Sequence, residues 1–369
     1  MSKLKVANLV GARPQFIKAS AISRVLRQHS GEVEEILIHS GQHYDSSMSD
    51  VFFDELEITP PKYHLEVGSG THSEQTANIL VALEKVLLAE KPDALVVYGD
   101  TNTTLAGGIV AAKLNIPIAH VEAGLRSFNM RMPEEINRKA VDHLSKWLFC
   151  PTQRAVDLLH EEGIGRRISD KGKSESYVLN TGDVMLDVAN WASNDLSVKV
   201  ERPDSVYAVF TLHRDFNTDN PERLSRILEG VASLSKETPV VFPVHPRTAK
   251  AMTKLQEQML IDAGCDLRSP LAYKSLMKLV KHSSLVITDS GGLQKEAYFL
   301  QKPVVIPRAE TEWMEMVDIG CATLVDDDSS ALASKSRSFI HRPPTEYPSL
   351  YGDGRSAEIM VSSILSYFS

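Results

Sequence analysis

The sequence is poor in cysteine and in basic charge. Its three cysteines, Cys150, Cys265 and Cys321, lie far apart and show neither CxxC nor histidine spacing. This pattern predicts buried thiols and argues against disulfides and a zinc site. The formal net charge of -8 at pH 7 argues against nucleic acid or an anionic membrane as a partner, because both attract a basic surface.

Long apolar runs are also missing. The chain has no uninterrupted apolar stretch near the roughly 18 residues that a membrane-spanning helix needs. The first residues lead directly into a strand-like run, without the apolar core and cleavage site of a signal peptide. The sequence therefore predicts a cytoplasmic protein with no membrane partner.

Alternating strand and helix patterns fill most of the chain. In the first half, the predicted strands are 6–10, 35–39, 94–98, 117–121 and 147–150, and the helices are 14–28, 48–56, 73–90, 102–114, 133–144 and 152–162. In the second half, the strands are 207–211, 240–242, 285–288, 303–306 and 322–324, and the helices are 221–235, 247–263, 272–281 and 292–300. Repeated βα alternation predicts an α/β protein with two Rossmann-like halves built on parallel sheets.

The chain is long enough for two domains of about 150 to 200 residues each. The polar segment 165–176 breaks the alternation and predicts a surface loop near a boundary. We predict domains at 1–182 and 183–354. A helical apolar pattern at 356–368 needs a surface to cover, so we expect the segment 355–369 to pack back on the first domain.

Three acidic residues stand where a strand ends or a helix begins. Asp100 follows strand 94–98, Glu122 follows strand 117–121, and Glu134 opens a helix. The carboxyl ends of parallel strands share one edge, so we expect these acids to converge there and at least one carboxyl pKa to rise, as proton transfer requires. Simpler roles remain open, because Asp100 could cap a helix and Glu134 could be a solvated first-turn acid.

Two strand-to-helix turns could bind a phosphate. The first, at 11–14, contains Arg13 and is followed by Lys18, and free backbone amides at a helix start favour an anion. The second, at 289–292, offers a serine hydroxyl and two glycine amides, and Glu296 one turn later could accept the two hydroxyls of a ribose. A tight turn with solvated cations is the alternative for the first, and ordinary helix capping for the second.

Two histidines follow strands in the second half. His213 comes after strand 207–211, and His245 comes before Pro246. A histidine at a strand end can be a packing residue or a group that acts at neutral pH. His213 is the better candidate for a site, since we expect it to face the ligand.

Several ordered motifs, spread over nearly the whole chain, resemble the non-hydrolysing UDP-N-acetylglucosamine 2-epimerases. They are GARPQFIK at 11–18, GDT at 99–101, HVEAGLR at 120–126, PEEINR at 133–138, DSGGLQKEA at 289–297 and YGDG at 351–354. The resemblance implies a GT-B fold, a homodimer, and a UDP-sugar held in a cleft between two domains, with no metal or redox cofactor. It implies C2 inversion through elimination of UDP and its re-addition.

The resemblance also implies roles for individual residues. The catalytic candidates are Asp100, Glu122, Glu134 and His213. The binding candidates are Arg13, Lys18, Arg138, Tyr273, Ser290, Gly291, Gly292 and Glu296. Tyr273 belongs to the loop 270–276, which resembles the segment beside uracil, whereas Ser290, the two glycines and Glu296 match the diphosphate and ribose site.

The chain departs from the commoner family pattern at several points. Gln15 stands where Glu is usual, Trp313 stands where Arg is usual, and the stretch between Glu122 and Glu134 is two residues shorter. These differences resemble the branch that epimerises UDP-2,3-diacetamido-2,3-dideoxyglucuronate for cell-surface polysaccharide. A sugar carboxylate at C6 would need a cation, which Arg126, Arg131 or Arg138 could supply.

Two other functions remain open at this point. A GT-B glycosyltransferase could use the same nucleotide site, but it would not need three acids on the first domain. A UDP-sugar-binding regulator would do no chemistry, and the acids argue against that reading.

Overall fold

The protein is described here in a computed structural model that covers residues 3–41, 53, 55–165 and 176–369. Most of the predicted helix 48–56 and nearly all of the predicted loop 165–176 lie outside these residues. The chain divides into two compact units. The first is Met1–Val188 with Ser349–Ser369, and the second is Ala189–Pro348.

The first unit is built on a parallel sheet. Its strands are β1 (Leu4–Val10), β2 (Val33–His39), β3 (Tyr63–His64), β4 (Ala94–Tyr98), β5 (Ile118–Val121), β6 (Trp147–Cys150) and β7 (Tyr177–Asn180). Its helices are α1 (Arg13–Gln28), α2 (His72–Glu90), α3 (Asn102–Lys113), α4 (Pro133–Leu144) and α5 (Gln153–Glu161), while α6 (Val184–Asn194) contains the boundary between the units. The strand order is β3-β2-β1-β4-β5-β6-β7, the doubly wound order of a Rossmann sheet.

The second unit repeats this plan. Its strands are β8 (Ala208–Thr211), β9 (Val240–Pro243), β10 (Cys265–Arg268), β11 (Leu285–Thr288), β12 (Val304–Ile306) and β13 (Ala322–Leu324), in the order β10-β9-β8-β11-β12-β13. Its helices are α7 (Asp215–Thr218), α8 (Pro221–Ser235), α9 (Pro246–Ala251), α10 (Lys254–Asp262), α11 (Tyr273–His282), α12 (Gly291–Phe299), α13 (Met314–Asp318) and α14 (Ser329–His341). All the strand pairs are parallel.

Buried strands explain why the sequence reads as short apolar runs. All five residues of β4 and all four of β11 are buried, because helices cover both faces of a parallel sheet. Leu95, Val97 and Ile118 pack with α2 and α3 in the first unit. In the second unit, the rings of Phe210 and Phe242 pack at a tilt of 47°, with centroids 4.4 Å apart. Each unit therefore has its own apolar core.

The C-terminal helix α15 (Ser356–Phe368) belongs to the first unit, where it packs against α1. The ring of Tyr367 meets that of Trp147 edge-on at 5.2 Å, so the end of the helix covers the last strands of the first sheet. All three cysteines are buried free thiols, as predicted. Among the helices of the described residues, none is long and apolar enough to cross a membrane.

The structure corrects one predicted element and adds several. The predicted helix 247–263 is two helices, because Met252 is extended and Thr253 caps α10 by accepting a hydrogen bond from the Gln256 amide at 3.2 Å. The sequence patterns also missed three short strands and four helices, namely β3, β7, β10, α6, α7, α13 and α14.

Candidate active site

The ends of β4 and β5 bring two of the predicted acids together. Tyr98 pairs with Val121 in the sheet, and the Gly99 amide donates to the Val121 carbonyl at 2.9 Å. Gly99 and Glu122 both have positive φ angles, 61° and 69°, so each strand turns sharply just after the sheet. A positive φ is rare for a residue other than glycine, and the strain at Glu122 marks a position that the surrounding structure enforces.

Asp100 pairs with a cation from α4. Its carboxylate forms an ion pair with Arg138, and its backbone carbonyl accepts a hydrogen bond from the Asn137 side chain at 2.9 Å. Burial raises the pKa of Asp100 above its ordinary value; Arg138 and Lys18 oppose the rise and the charge of Glu122 adds to it. The expected rise in one carboxyl pKa is thus found here, with burial as the larger cause and repulsion as a smaller one.

Glu122 pairs with a cation from α1. Its carboxylate contacts the Lys18 ammonium, and both side chains are largely buried. The sequence places Lys18 near the nucleotide phosphates, whereas the structure places its ammonium against Glu122. The adjacent strand ends therefore carry two ion pairs side by side, Asp100 with Arg138 and Glu122 with Lys18.

Glu134 and its neighbour Glu135 have opposite surroundings. Glu134 is exposed on the first turn of α4, and within the described residues it forms no hydrogen bond or ion pair. Glu135 is fully buried, accepts hydrogen bonds from the amides of Ser127 and Phe128 at 2.9 and 3.2 Å, and pairs with Arg138 at 2.7 Å. Glu135 therefore fixes the loop that leads into α4, a role that the sequence analysis missed.

Gln15 fills the turn after β1. Its side-chain oxygen accepts from the amides of Gly11 and Ala12 at 2.8 and 3.2 Å, and its nitrogen donates to the Tyr98 carbonyl at 2.7 Å and to the hydroxyl of Thr101 at 2.9 Å. The prediction of free backbone amides at this turn is therefore wrong for Gly11 and Ala12. A glutamate could not donate to the Tyr98 carbonyl, so the amide of Gln15 ties the first turn to the strand that carries Asp100.

The residue that caps α3 is Thr101, so the alternative role of Asp100 as a helix cap is excluded. The Thr101 hydroxyl, and not the Asp100 carboxylate, accepts from the Thr104 amide and caps α3. Arg13 is exposed at the first position of α1, so a phosphate role for Arg13 rests on its side chain.

The turn after β11 carries the predicted phosphate notch of the second unit. Ser290 caps α12 by accepting from the Leu293 amide at 3.4 Å, Gly291 is buried and Gly292 is exposed. The Trp313 indole donates to the Gly291 carbonyl at 2.8 Å. A Cβ atom at Gly291 would approach the Glu312 carboxylate to 3.2 Å, so a side chain there would crowd the notch.

Glu296 and Tyr273 form a buried pair beside this notch. The Tyr273 hydroxyl donates to the Glu296 carboxylate at 2.9 Å, and both residues are more than nine-tenths buried. The structure thus brings together two residues that the sequence assigns to the ribose and uracil ends of one ligand. A carboxylate oriented in this way is suited to accept ribose hydroxyls.

His213 lies over a buried aspartate. Asp289 is fully buried and accepts from the amides of His213 and Arg214 at 3.1 and 2.9 Å, which fixes the loop after β8. The ring of His213 lies 5.2 Å from that of His245. Burial lowers the pKa of His213, Asp289 opposes this, and His245 adds to it, so the imidazole is mostly neutral near pH 7.

Comparison with known proteins identifies the family. A family model described as UDP-N-acetylglucosamine 2-epimerase matches residues 24–365. The chain belongs to this family. A Pseudomonas aeruginosa protein named UDP-2,3-diacetamido-2,3-dideoxy-D-glucuronate 2-epimerase is 41% identical to the chain over 356 residues, covering 96% of the chain and 97% of that protein.

Two further matches also carry the name of this family. A Methanococcus maripaludis protein named UDP-N-acetylglucosamine 2-epimerase homolog is 43% identical, covering 96% of this chain and 97% of that protein. The chain also matches the crystal structure of Methanocaldococcus jannaschii UDP-GlcNAc 2-epimerase in complex with UDP-GlcNAc and UDP. The two sequences are 39% identical and the TM-score is 0.75, and the match covers 99% of this chain and all of that one. The predicted family, the epimerase class and the GT-B fold with two Rossmann-like sheets are confirmed.

Proposed function

We propose that the protein inverts C2 of a UDP-N-acetylhexosamine, and that the paired acids of the first unit carry out the proton transfers. The observation that carries this proposal is the juxtaposition of two carboxylates, Asp100 and Glu122, each with its own cation, at adjacent strand ends. A C2 proton next to an acylamino group is weakly acidic. Its removal therefore needs a positioned base in a partly dry site.

The reaction proceeds by elimination and addition. One carboxylate takes the C2 proton while the C1–O bond to UDP breaks, which gives a glycal and free UDP. A second group then delivers a proton to the opposite face of C2 as UDP returns to C1. Asp100, with its raised pKa, is suited to act as the proton donor, and Glu122 and Glu134 complete the proposed set. His213, largely neutral, is proposed to stabilise the departing diphosphate by hydrogen bonding.

The second unit is proposed to bind the nucleotide. Its helix α12 begins at the Ser290 to Gly292 turn, where a helix N-terminus favours an anion such as a diphosphate. Glu296 is proposed to accept ribose hydroxyls and Tyr273 to lie beside the uracil end. In the first unit, Arg13 is proposed to contact phosphate, whereas Lys18 and Arg138 hold the acids.

Two of the three arginines considered as partners of a C6 carboxylate already pair with acids of the chain. Arg126 is buried between Asp142 and Glu162, and Arg138 pairs with Asp100 and Glu135. Arg131 is exposed in the loop before α4, and within the described residues its guanidinium forms no ion pair. We propose Arg131 as the residue that selects a uronate substrate, which would place the protein in the synthesis of cell-surface polysaccharide precursors.

Proton NMR of the purified protein with two sugars tests this proposal. UDP-N-acetylglucosamine and UDP-2,3-diacetamido-2,3-dideoxyglucuronate are incubated separately with enzyme, and the manno epimer is measured in each. We expect the uronate to be epimerised, and Arg131→Gln to lower its turnover without lowering any turnover of UDP-N-acetylglucosamine. Release of UDP that depends on an added acceptor, with no epimer formed, would contradict the proposal.

We also propose a cytoplasmic homodimer, on the strength of the family resemblance. Light scattering coupled to size exclusion measures the mass in solution. A mass of about twice the chain mass of 40.8 kDa is expected, and a mass equal to one chain would contradict it.

A further inference from the structure

A fully buried histidine links the two strand ends that carry the acids. His120 is the third residue of β5, and its side chain has no solvent exposure. Its Nε2 lies 2.7 Å from the Gly99 carbonyl oxygen, and its Nδ1 lies 2.7 Å from the Asp142 carboxylate on α4. Both ring nitrogens therefore face an oxygen at hydrogen-bond distance.

These partners bond the ring at both nitrogens. A backbone carbonyl can only accept, so Nε2 carries a proton and donates it to Gly99. The Oδ1 atom of Asp142 faces Nδ1, while its Oδ2 atom accepts from the Arg126 guanidinium at 2.7 Å and from the Gly124 amide at 3.2 Å. The ring is therefore fixed in position and orientation from both sides.

The residues around this histidine form a buried ionic network. The side chains of Asp142 and Arg126 are completely buried. Glu162 accepts from Arg126 at 2.9 and 2.7 Å and pairs with Lys139 at 3.2 Å. A buried charge that loses its partner is strongly destabilising, so these contacts hold Asp142 in place against His120.

The same contacts fix both acid-bearing turns. Gly99 immediately precedes Asp100, and its amide is bonded to Val121, which precedes Glu122. His120 holds the carbonyl of Gly99, while Asp142 holds the amide of Gly124 on the other side of Glu122. Loss of His120 would therefore release the Gly99 peptide and leave an unpaired carbonyl next to the catalytic candidates.

We propose that His120 is a positioning residue of the epimerase, whose two hydrogen bonds fix the relative placement of Asp100 and Glu122. Its role in catalysis rests on the proposed C2 epimerisation, whereas its hydrogen bonds do not. A misplacement of about 1 Å at reacting groups can lower a rate about 100-fold, which sets the size of the effect expected from losing this residue.

Nitrogen-15 NMR of the wild-type chain tests the hydrogen bond from Nε2. With histidine labelled in both ring nitrogens, a long-range proton-nitrogen correlation spectrum is recorded at pH 8.5, where ordinary histidines are neutral. The protein has 12 histidines, and we expect one ring whose Nε2 proton exchanges slowly with solvent, lost in His120→Gln. A spectrum with no protected Nε2 proton would overturn the proposal, and this result does not depend on any variant folding.

Steady-state kinetics test the positioning role. His120→Gln should lower kcat about 100-fold, with KM and UDP affinity changed by about twofold or less, since His120 bonds to Gly99 and Asp142 rather than to the proposed nucleotide residues. The matched control is His143→Gln, an exposed histidine on α4 next to Asp142, and it should behave as wild type. Wild-type turnover in His120→Gln, or equal losses of kcat and UDP affinity, would overturn the positioning role.

The two proposals fail in different ways. If wild-type protein epimerises neither sugar, the proposed function is wrong. The NMR spectrum still tests the His120 hydrogen bonds, because it needs no turnover. If wild type is active and His120→Gln is equally active, the function stands and the inference about His120 is wrong.

Discussion

The two units share one strand order but carry different side chains at their strand ends. In each, the chain turns at the carboxyl end of a parallel strand and enters a helix. In the first unit the backbone amides of the turn at Gly11 donate to the Gln15 side chain, and the neighbouring strand ends carry two acids, each paired with a cation. In the second unit the glycine turn starts α12 and lies beside the Glu296 and Tyr273 pair.

This difference shows that topology sets the place of a site, while a few side chains set its chemistry. The turn after β1 has the sequence signals of an anion site. The Gln15 side chain nevertheless accepts from its Gly11 amide and donates to the Tyr98 carbonyl, so it connects this turn to the strand before Asp100. A test that separates the units should therefore give separate effects. Substitution of the paired acids in the first unit should change kcat, and substitution of Glu296 or Tyr273 in the second should change nucleotide affinity.

The largest expected effect is on kcat in the first unit. Asp100→Asn and Glu122→Gln should each lower kcat about 100-fold or more, the usual scale for a lost acid or base, with small changes in UDP affinity. Glu161→Gln, an exposed acid on α5, is the matched control. Glu134→Gln is expected to act like the first two. Normal turnover in any of the three would remove that residue from the proposed mechanism.

The next effect is on stability and depends on pH. Hydrogen bonds from Arg126 hold the pKa of Glu162 at about 2, below its ordinary value of 4.5. A lowered folded-state pKa gives stability that is present above about pH 4.5 and is lost as pH falls toward 2. Glu162→Gln should therefore cost about 1 to 2 kcal/mol at pH 7 and less at pH 3, as measured by urea unfolding. An equal cost at both pH values would contradict this origin.

A smaller effect is expected on nucleotide affinity in the second unit. Glu296→Gln should weaken UDP binding about tenfold, because one charged acceptor for hydroxyl donors becomes a neutral amide. Tyr273→Phe should weaken binding less, since it removes only the hydroxyl that orients Glu296. Isothermal titration with UDP measures both. A loss of kcat with unchanged UDP affinity would break the proposed division between the units.

The smallest predicted effect concerns Trp313. Trp313→Phe keeps a ring beside Lys295, whose ammonium lies 4.1 Å from the indole centroid, but it removes the hydrogen bond to the Gly291 carbonyl. We expect UDP affinity to fall about threefold, the scale of one neutral hydrogen bond. Trp191→Phe, a ring in the same unit that lies against Lys274, serves as the control. Equal losses in the two variants would indicate a general loss of packing.

The long periodic elements were predictable from the sequence, and short ones were not. Helices α4 and α8 and strands β4 and β11 have the predicted bounds. The strand β3 has only two residues, and β7 is a four-residue strand with both end residues exposed, so neither carries a long apolar run. The break at Met252 depends on a cap by Thr253, a polar signal that an apolar pattern does not contain.

The candidate site was only partly predictable for a related reason. The positions of Asp100 and Glu122 follow from the strand ends, and those of Ser290 and Glu296 follow from a glycine turn. The braces Gln15, Glu135, Asp142 and Asp289 are polar residues whose partners are distant in the chain or reached through folded loops. Their pairing appears only after folding, so spacing could not reveal it.

The most direct test of the account is the fate of the C2 proton. The wild-type protein is incubated in heavy water with the UDP-sugar that it epimerises, and the recovered sugar is read by proton NMR. Removal and return of a proton at C2 predict deuterium at C2 in both epimers, with C4 and C5 still protonated. Turnover that retains the original C2 proton would contradict the account.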